Sequence, residues 1–262
     1  MTNVVFIHGL WVAHTAWQPW IEHYADHGHH AIAPPWPGEH PTAAGARENP
    51  SAQAGFGLNE LTGHFATILG RFDEPPVVVG HSFGGLVAQK LLDQRLASAA
   101  IAIDPAPIKG VRALPLAQLR SAFPVLGNPA NRGRAKALTQ AQWRYGFGNA
   151  LEVAESDDLW RQWNIPSPGR PLFEVAFANL VAHSPAEVDT ANSTRGPLLI
   201  TAGTADHTVP YATAKGAHRL YRKSNAITDF HEFPGRGHSL TLDRGWRDVA
   251  DTSLEWLAHR TR

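Results

Sequence analysis

A serine between two glycines directly follows an apolar, β-branched run near residue 80. Residues 77–85 have the sequence VVVGHSFGG, and a helix-compatible run, Leu86 to Gln94, comes next. A strand, a tight turn and a helix in this order make Gly-x-Ser-x-Gly a nucleophile elbow rather than a loose pattern. Gly80 and Gly84 let strand and helix approach closely, and the strained turn lifts the serine hydroxyl above the sheet edge. The pattern predicts Ser82 as a nucleophile.

A histidine late in the chain is suited to activate this serine. A free hydroxyl is almost un-ionised at neutral pH and needs a base to take its proton. Residues 226–233 indicate the last strand, and Gly237-His238 lies on the loop after it. The chain has 15 histidines, but His238 stands apart by its glycine-flanked position after a strand. We predict His238 as the general base.

Two aspartates compete to orient that base, because each follows a buried-strand pattern. Asp206 comes after the run PLLITAG at 197–203, and Asp104 ends the run AIAI at 100–103. A carboxylate that accepts the histidine Nδ1 proton fixes the tautomer and stabilises the imidazolium. The order Ser…Asp…His favours Asp206. Asp104 precedes a proline and fits a loop-capping role, and Asp243 fits a helix start.

Backbone donors for a developing oxyanion are predicted at the amino terminus. Acyl transfer needs N–H groups aimed at the oxygen that becomes negative, and two are sufficient. A strand at residues 3–7 is followed by His8-Gly9-Leu10-Trp11. Leu10 is predicted to supply one amide, and Phe83, the residue after the nucleophile, the other. His8 is interpreted as a structural hydrogen-bonding residue.

Strand-like and helix-like segments alternate along the chain, which predicts an α/β protein with a doubly wound, mainly parallel sheet and helices on both faces. A helix from Leu58 to Arg71 should stop before Pro75-Pro76, and another should span Trp246 to His259. Residues 34–57 are rich in Pro, Gly and Ala and are interpreted as a long irregular loop. About six strands are expected, at 3–7, 30–34, 76–80, 98–104, 197–203 and 226–233.

The motifs described above resemble those of the α/β-hydrolase superfamily over essentially the whole chain. They are His8-Gly9, the segment GHSFGG at 80–85, Asp206 and Gly237-His238. The early first strand is similar to compact members such as small bacterial esterases, plant methylesterases and hydroxynitrile lyases. The resemblance implies the α/β-hydrolase fold, with a core formed by residues 1–104 and 193–262 and a helical cap inserted at 105–192.

The predicted cap is where substrate specificity is expected. It should contain helices at 114–123, 132–147, 154–163 and 171–181 and no strand. Its tryptophans Trp143, Trp160 and Trp163, together with Trp11, are predicted to bind the apolar part of a substrate. Packing of the cap onto the core is the alternative role for the three cap tryptophans. Three cap arginines fit surface or ion-pair roles better than a carboxylate clamp. They are Arg120, Arg144 and Arg170.

Composition limits the other functional classes. At 262 residues and 43% hydrophobic, the chain is long enough for one large core. Lys+Arg and Asp+Glu are balanced at 23 each, which argues against nucleic acid and membrane surfaces as partners and leaves a homo-oligomer open. The chain has no cysteine, so disulfides and cysteine metal sites are excluded. No targeting or spanning pattern is visible, and a cytoplasmic location is expected.

No metal or cofactor is expected. His23 and His27 are four residues apart, but no glutamate lies between them as in a zinc-protease helix.

The resemblance to α/β-hydrolases implies a cofactor-independent serine hydrolase that cleaves a small, partly apolar ester, thioester or lactone. Carbon–carbon bond hydrolases, hydroxynitrile lyases and haloperoxidases or perhydrolases use the same triad, and some receptors bind small molecules with this fold. Ser239 follows His238 where a lysine would favour the lyase.

Overall fold

The computed structural model describes residues 2–260 and has a six-stranded parallel sheet at its centre. The strand order is β2-β1-β3-β4-β7-β8, and every neighbouring pair is parallel. Two further strands, β5 and β6, form a separate antiparallel pair. The eight strands are β1 Asn3–Ile7, β2 His30–Ile32, β3 Val77–His81, β4 Ala99–Ile103, β5 Ala135–Lys136, β6 Ser167–Pro168, β7 Leu198–Gly203 and β8 Thr228–Phe233.

Helices connect the strands, and the described residues contain ten α-helices. Six-residue and longer α-helices alternate with the central strands as the sequence pattern predicts. They are α1 Gln18–Asp26, α2 Ala43–Glu48, α3 Leu58–Leu69, α4 Phe83–Asp93, α5 Leu116–Leu126, α6 Gln140–Gly146, α7 Val153–Trp163, α8 Arg170–Ala176, α9 Tyr211–Leu220 and α10 Trp246–Arg260. Four short 3-10 helices lie at His14–Trp17, Pro129–Gly133, Ala178–Leu180 and Tyr221–Lys223. None of the helices in residues 2–260 is long and apolar enough to cross a membrane.

The two faces of the sheet are covered by different helices because successive strand side chains point to opposite sides. In β1, Val4 and Phe6 belong to the cluster that contains side chains of α1 and α10. Val5 and Ile7 belong to the other cluster, with side chains of α3, α4 and the segment after β4. All four are fully buried. The predicted α/β-hydrolase fold, with helices on both faces of a parallel sheet, is confirmed.

The segment between β4 and β7 contains α5 to α8 and departs from the predicted elements in several places, among them 171–181, where α8 ends at Ala176 and a 3-10 helix follows at Ala178–Leu180. The prediction of a single helix at 132–147 was wrong, because that stretch contains part of a 3-10 helix, the short strand β5 and then α6. Helix α6 starts only at Gln140, where Thr139 and Gln142 form a capping box. The expectation of no strand was also wrong, since β5 pairs with β6.

Residues 34–57, predicted to be irregular, contain α2, whose first turn is capped by Thr42.

An ionic contact joins this segment to the core. Glu174 on α8 accepts the amide of Leu58 at 2.7 Å, at the amino-terminal end of α3, where a negative charge is favourable. Arg170 donates to Glu174 at 2.8 Å and to Glu60 at 2.8 Å. Arg170 is therefore committed to an ion-pair network rather than to a ligand.

Candidate active site

Ser82 occupies the turn between β3 and α4 in a strained backbone conformation. Its φ is 57° and its ψ −119°, a region that few non-glycine residues adopt. The Ser82 amide donates to Ile103 at 2.9 Å, and the Ser82 carbonyl accepts from Gly85 at 3.0 Å. A side chain at Gly84 would overlap the backbone carbonyl of Ile7. Close packing of β1, β3 and α4 thus holds the hydroxyl at the carboxyl edge of the sheet.

A continuous chain of side-chain hydrogen bonds runs from this serine into the protein. His238 Nε2 lies 2.9 Å from Ser82 Oγ, and His238 Nδ1 lies 2.6 Å from Asp206 Oδ2. All three residues are at most 3% exposed. The structure therefore brings together the three side chains predicted as nucleophile, base and acid. An imidazole held in this way can take the serine proton while the carboxylate balances the charge that forms.

The Asp206 carboxylate is further held by backbone amides of its own loop. Its Oδ1 accepts from Thr208 at 2.6 Å and from Val209 at 2.8 Å. Burial acts to raise the pKa of Asp206. The charge of His238 and the hydrogen bonds from His238, Asp104 and Val209 outweigh burial and lower that pKa below its ordinary value. The group is accordingly a carboxylate at neutral pH, oriented toward His238.

Asp104, the alternative acid, lies beside the same site but does not orient the histidine ring. It is fully buried and accepts the amide of Gly203 at 3.0 Å. Burial, followed by the charge and hydrogen bond of Asp206, raises the pKa of Asp104 well above its ordinary value. Within residues 2–260, the side-chain partner of His238 Nδ1 is Asp206.

The two residues predicted to supply oxyanion amides are close to Ser82 in different ways: Phe83 follows it in the chain, and Gly9, which precedes Leu10, packs against it. Within the described residues, neither the Leu10 nor the Phe83 amide donates to another protein group. Trp11, the next residue, has a φ of 67°. Its amide donates to Ser167 Oγ at 2.7 Å, and its carbonyl accepts from Ile165 at 3.0 Å. The segment around β6 therefore fixes the loop that carries the Leu10 amide.

Glu39 is a functional candidate that the sequence analysis missed. Its carboxylate lies 2.8 Å from the His8 and His14 rings and accepts the backbone amides of His14 at 2.8 Å and Trp36 at 2.9 Å. The Glu39 side chain is fully buried. Burial acts to raise the pKa of Glu39, but the charges of and hydrogen bonds from His8 and His14 outweigh it, so that the pKa lies far below its ordinary value. His8 is thus a hydrogen-bonding residue of the loop after β1, and Glu39 anchors it.

Aromatic rings enclose the imidazole of His238. Phe147 lies edge-on to it with ring centroids 4.8 Å apart, and the centroid of the His81 ring lies 4.6 Å from that of His238. Trp143 stacks behind Phe147 at 4.3 Å and 10°. Burial, then the charge of His238, lowers the pKa of His81 well below its ordinary value, so that His81 is a neutral neighbour rather than a second cation.

A largely apolar cavity of about 230 Å³ opens above Ser82. Its walls come from the loop after β4, α5, α8 and the loop after β7. Of its polar wall residues, Ser121 and Thr208 hydrogen-bond each other at 2.8 Å. Asn179 donates to the Val111 carbonyl at 2.8 Å. The apolar lining includes Trp11, Phe83, Ile108, Val111, Leu114, Leu119, Leu126, Leu172, Val175 and Val209.

Of the four tryptophans predicted to bind substrate, Trp11 lines this cavity. Trp143, Trp160 and Trp163 are not among its described lining residues. Trp143 is fully buried behind Phe147. The Trp160 indole donates to the Leu138 carbonyl at 2.9 Å, and Trp163 packs against the small cluster around Ala13. These rings stabilise the segment internally, and aliphatic side chains form the cavity wall instead.

Within residues 2–260, one group of side chains has ligating atoms close enough together to hold a metal ion. The group comprises Asp104, Asp206 and His238, whose ligating atoms lie within 4.8 Å of one another. His23 and His27, which the sequence analysis considered and rejected as metal ligands, make other contacts. His23 Nε2 lies 2.6 Å from Asp251, and the His27 ring lies 2.8 Å from the His23 carbonyl.

The parallel sheet, the strained serine turn and the buried Ser–His–Asp arrangement together define an α/β-hydrolase class of protein. A family model described as the alpha/beta hydrolase family matches residues 4–252, and the chain belongs to that family. None of the curated proteins matches the sequence of this chain.

Solved structures share the fold at low sequence identity. An extracellular alpha/beta-hydrolase from a Paenibacillus species is similar, with a TM-score of 0.70, 17% identity and coverage of 97% of this chain and 98% of that chain. A monoacylglycerol lipase from Paleococcus ferrophilus has a TM-score of 0.64, 20% identity and coverage of 98% and 94%. A methylesterase from Arabidopsis has a TM-score of 0.67, 11% identity and coverage of 99% and 100%. This similarity shows the hydrolase fold.

Proposed function

We propose that this hydrolase is a cofactor-independent serine esterase that cleaves small carboxylic esters with a partly apolar portion, or the related thioesters and lactones. One observation carries the proposal. The hydrogen-bond chain from Asp206 through His238 to Ser82 ends below an apolar cavity that includes Ser82 itself in its lining. The hydroxyl that His238 can activate therefore lies in the wall of an apolar binding space, as acyl transfer to an apolar substrate requires.

The first half-reaction forms an acyl-enzyme. Ser82 Oγ attacks the ester carbonyl carbon while His238 Nε2 takes the hydroxyl proton. The carbonyl oxygen becomes negative and accepts hydrogen bonds from the Leu10 and Phe83 amides, each of which contributes a factor of roughly 10²–10³ to the rate in comparable sites. The tetrahedral intermediate then breaks the bond to the alcohol, which leaves with the proton that His238 returns.

The second half-reaction hydrolyses the acyl-enzyme by the same groups. His238 takes a proton from water, and the resulting hydroxide attacks the acyl carbon. The bond to Ser82 Oγ breaks, the serine regains its proton from His238, and the carboxylic acid leaves. Asp206 remains a carboxylate throughout, consistent with its lowered pKa, and neutralises the imidazolium in both steps.

The cavity supports an aliphatic rather than an ionic substrate portion. Arg144 and Arg170, two of the three arginines considered as a carboxylate clamp, are paired with Asp157 and Glu174. Arg120 lies over the Tyr145 ring at 3.9 Å. The lining is mainly aliphatic, so burying substrate methylene groups should contribute about 0.8 kcal/mol each until the space is full.

The test is turnover of p-nitrophenyl butyrate combined with labelling by a fluorophosphonate. We expect ester turnover and one covalent label per chain, located at Ser82 by peptide mass spectrometry. Labelling without any turnover of esters, thioesters or lactones would contradict the proposal and favour a different reaction of the same triad or a binding role. The Ser82→Ala variant controls for non-enzymatic hydrolysis and for labelling elsewhere.

A further inference from the structure

A second buried carboxyl group lies against the proposed triad, and the mechanism above does not use it. Asp104 follows β4, is fully buried and has a φ of 42°. Both of its carboxyl oxygens lie near the Gly203 amide, at 3.0 and 3.2 Å. A carboxyl oxygen of Asp104 also lies within 4.8 Å of one of Asp206. A residue held in the left-handed region with no exposed surface is placed by its surroundings, and those surroundings are the active site.

Charged and titratable groups face Asp104 from several elements. Asp206 comes from the loop after β7, and His238 and Arg236 from the loop after β8. His81, on β3, packs against His238. Arg236 donates to Asp243 at 2.5 Å, so the nearby cation is already paired. The Asp206 carboxylate is therefore the neighbouring charge with the largest effect on the ionisation of Asp104.

Two buried carboxyl groups whose oxygens lie this close cannot both be ionised at neutral pH, because like charges repel strongly in a low-dielectric site. A hydrogen bond between them also requires a proton on one partner. Asp206 has His238 and two backbone amides to stabilise its charge, whereas Asp104 has the amide of Gly203. The shared proton consequently resides on Asp104, in agreement with its raised pKa.

We propose that Asp104 is a positioning residue that, as a neutral carboxylic acid, donates a hydrogen bond to the Asp206 carboxylate and keeps it ionised and aimed at His238. The proposal rests on the proposed function of the triad. Its chemical consequence concerns the moment at which His238 becomes an imidazolium. A hydrogen bond donated to Asp206 stabilises the carboxylate, so that the Nδ1 proton stays on the ring rather than moving to the acid.

A stability measurement tests the protonation of Asp104 without any catalysis. In the parent, unfolding above the ordinary aspartate value of 3.8 releases the extra proton, so stability should fall as pH rises toward the raised pKa. Asp104→Asn has no proton to lose. We expect the Tm of Asp104→Asn minus that of the parent to increase steadily from pH 4 to pH 7. Asp73→Asn, at an exposed aspartate, is the control and should give a flat difference.

The activity test separates positioning from a structural role. Asp104→Ala removes the donor and should lower kcat roughly tenfold or more with little change in KM. Asparagine keeps a neutral donor and an acceptor of nearly the same shape, so Asp104→Asn should restore most of that loss. It should also leave the midpoint of the acid limb of kcat/KM in place, because no charge is removed.

Two results would overturn the proposal. A Tm difference for Asp104→Asn that is flat above pH 5, or an acid limb displaced by about one pH unit, would mean that Asp104 is ionised. Equal activity of the Ala and Asn variants would mean that the donor is not needed. If Asp104→Ala does not fold, the Tm series and acid limb of Asp104→Asn decide alone. Failure of the parent to turn over esters would reject the proposed function, while the Tm series still tests the proton.

Discussion

Gly9 lies directly against Ser82, where a Cβ atom on Gly9 would fall 2.7 Å from the Ser82 Cβ and 3.3 Å from its Oγ. The glycine that precedes Leu10 therefore sets the distance between the loop after β1 and Ser82. No side chain fits there unless the loop or the serine moves.

Gly9→Ala should accordingly lower kcat for p-nitrophenyl butyrate by roughly 10² or more, because displacement of one oxyanion donor alone costs about that much. Gly63→Ala is the matched control. Gly63 is an exposed glycine within α3, and a Cβ there meets nothing within 4 Å. It should leave activity unchanged and stabilise the chain by about 0.5–1 kcal/mol. Equal activity of the two variants would remove the oxyanion role from this loop.

The two aspartates near His238 should respond differently to the same substitution. Asp206→Asn replaces the acceptor of the Nδ1 proton and favours the wrong ring tautomer, so kcat should fall by roughly 10²–10⁴. Asp104→Asn, which preserves a neutral partner, should cost much less. The comparison needs only kcat for both variants under identical conditions. A reversed ranking would make Asp104 the catalytic acid.

The length of the cavity should appear in the substrate preference. We expect kcat/KM for p-nitrophenyl esters to rise from acetate to butyrate or hexanoate, by up to about fourfold per methylene, and then to fall. Leu172→Trp narrows the cavity wall on α8 and should move the optimum to shorter chains. Trp160→Ala should leave the optimum in place because this indole is bonded to Leu138 away from the lining. A response to Trp160→Ala alone would mean that the wall is assigned incorrectly.

Glu39 should stabilise the chain in a pH-dependent way. Its pKa lies below the ordinary value of 4.5, so the ionised group adds stability above that pH, and the contribution is lost as pH falls toward the lowered pKa. Glu39→Gln should therefore destabilise the protein by roughly 1–3 kcal/mol at pH 7, and the difference from the parent should shrink below pH 4.5. Urea unfolding at pH 7 and pH 4 measures both. A difference that does not depend on pH would mean that the charge is unimportant.

The strand ends of the central sheet were predictable from sequence because each combines a buried apolar run with a loop of chemical residues. The serine turn shows this best, since Val77–His81 and Phe83–Asp93 adjoin Ser82 as expected. The edge of a parallel sheet then gathers Ser82, Asp206 and His238 without further information.

Features that depend on contacts between distant segments were not predictable. Glu39 lies in a stretch rich in Pro, Gly and Ala, and only the fold brings it to His8 and His14. The tryptophans of the inserted segment were assigned by type, whereas their partners decide which way they face. Trp143 stacks on Phe147, and the Phe147 ring in turn contacts His238. The neutral state of Asp104 likewise depends on its distance from Asp206.

The central claim is that Ser82 is a nucleophile activated by His238. Intact-mass spectrometry during turnover of p-nitrophenyl butyrate tests it most directly, with kcat of Ser82→Ala measured on the same preparation. The account predicts a transient butyryl adduct on Ser82 in the parent, none in Ser82→Ala, a folded variant with an unchanged circular dichroism spectrum, and less than about one per cent of the parent rate. A Ser82→Ala variant that keeps a larger rate, or a parent adduct on another residue, would contradict it.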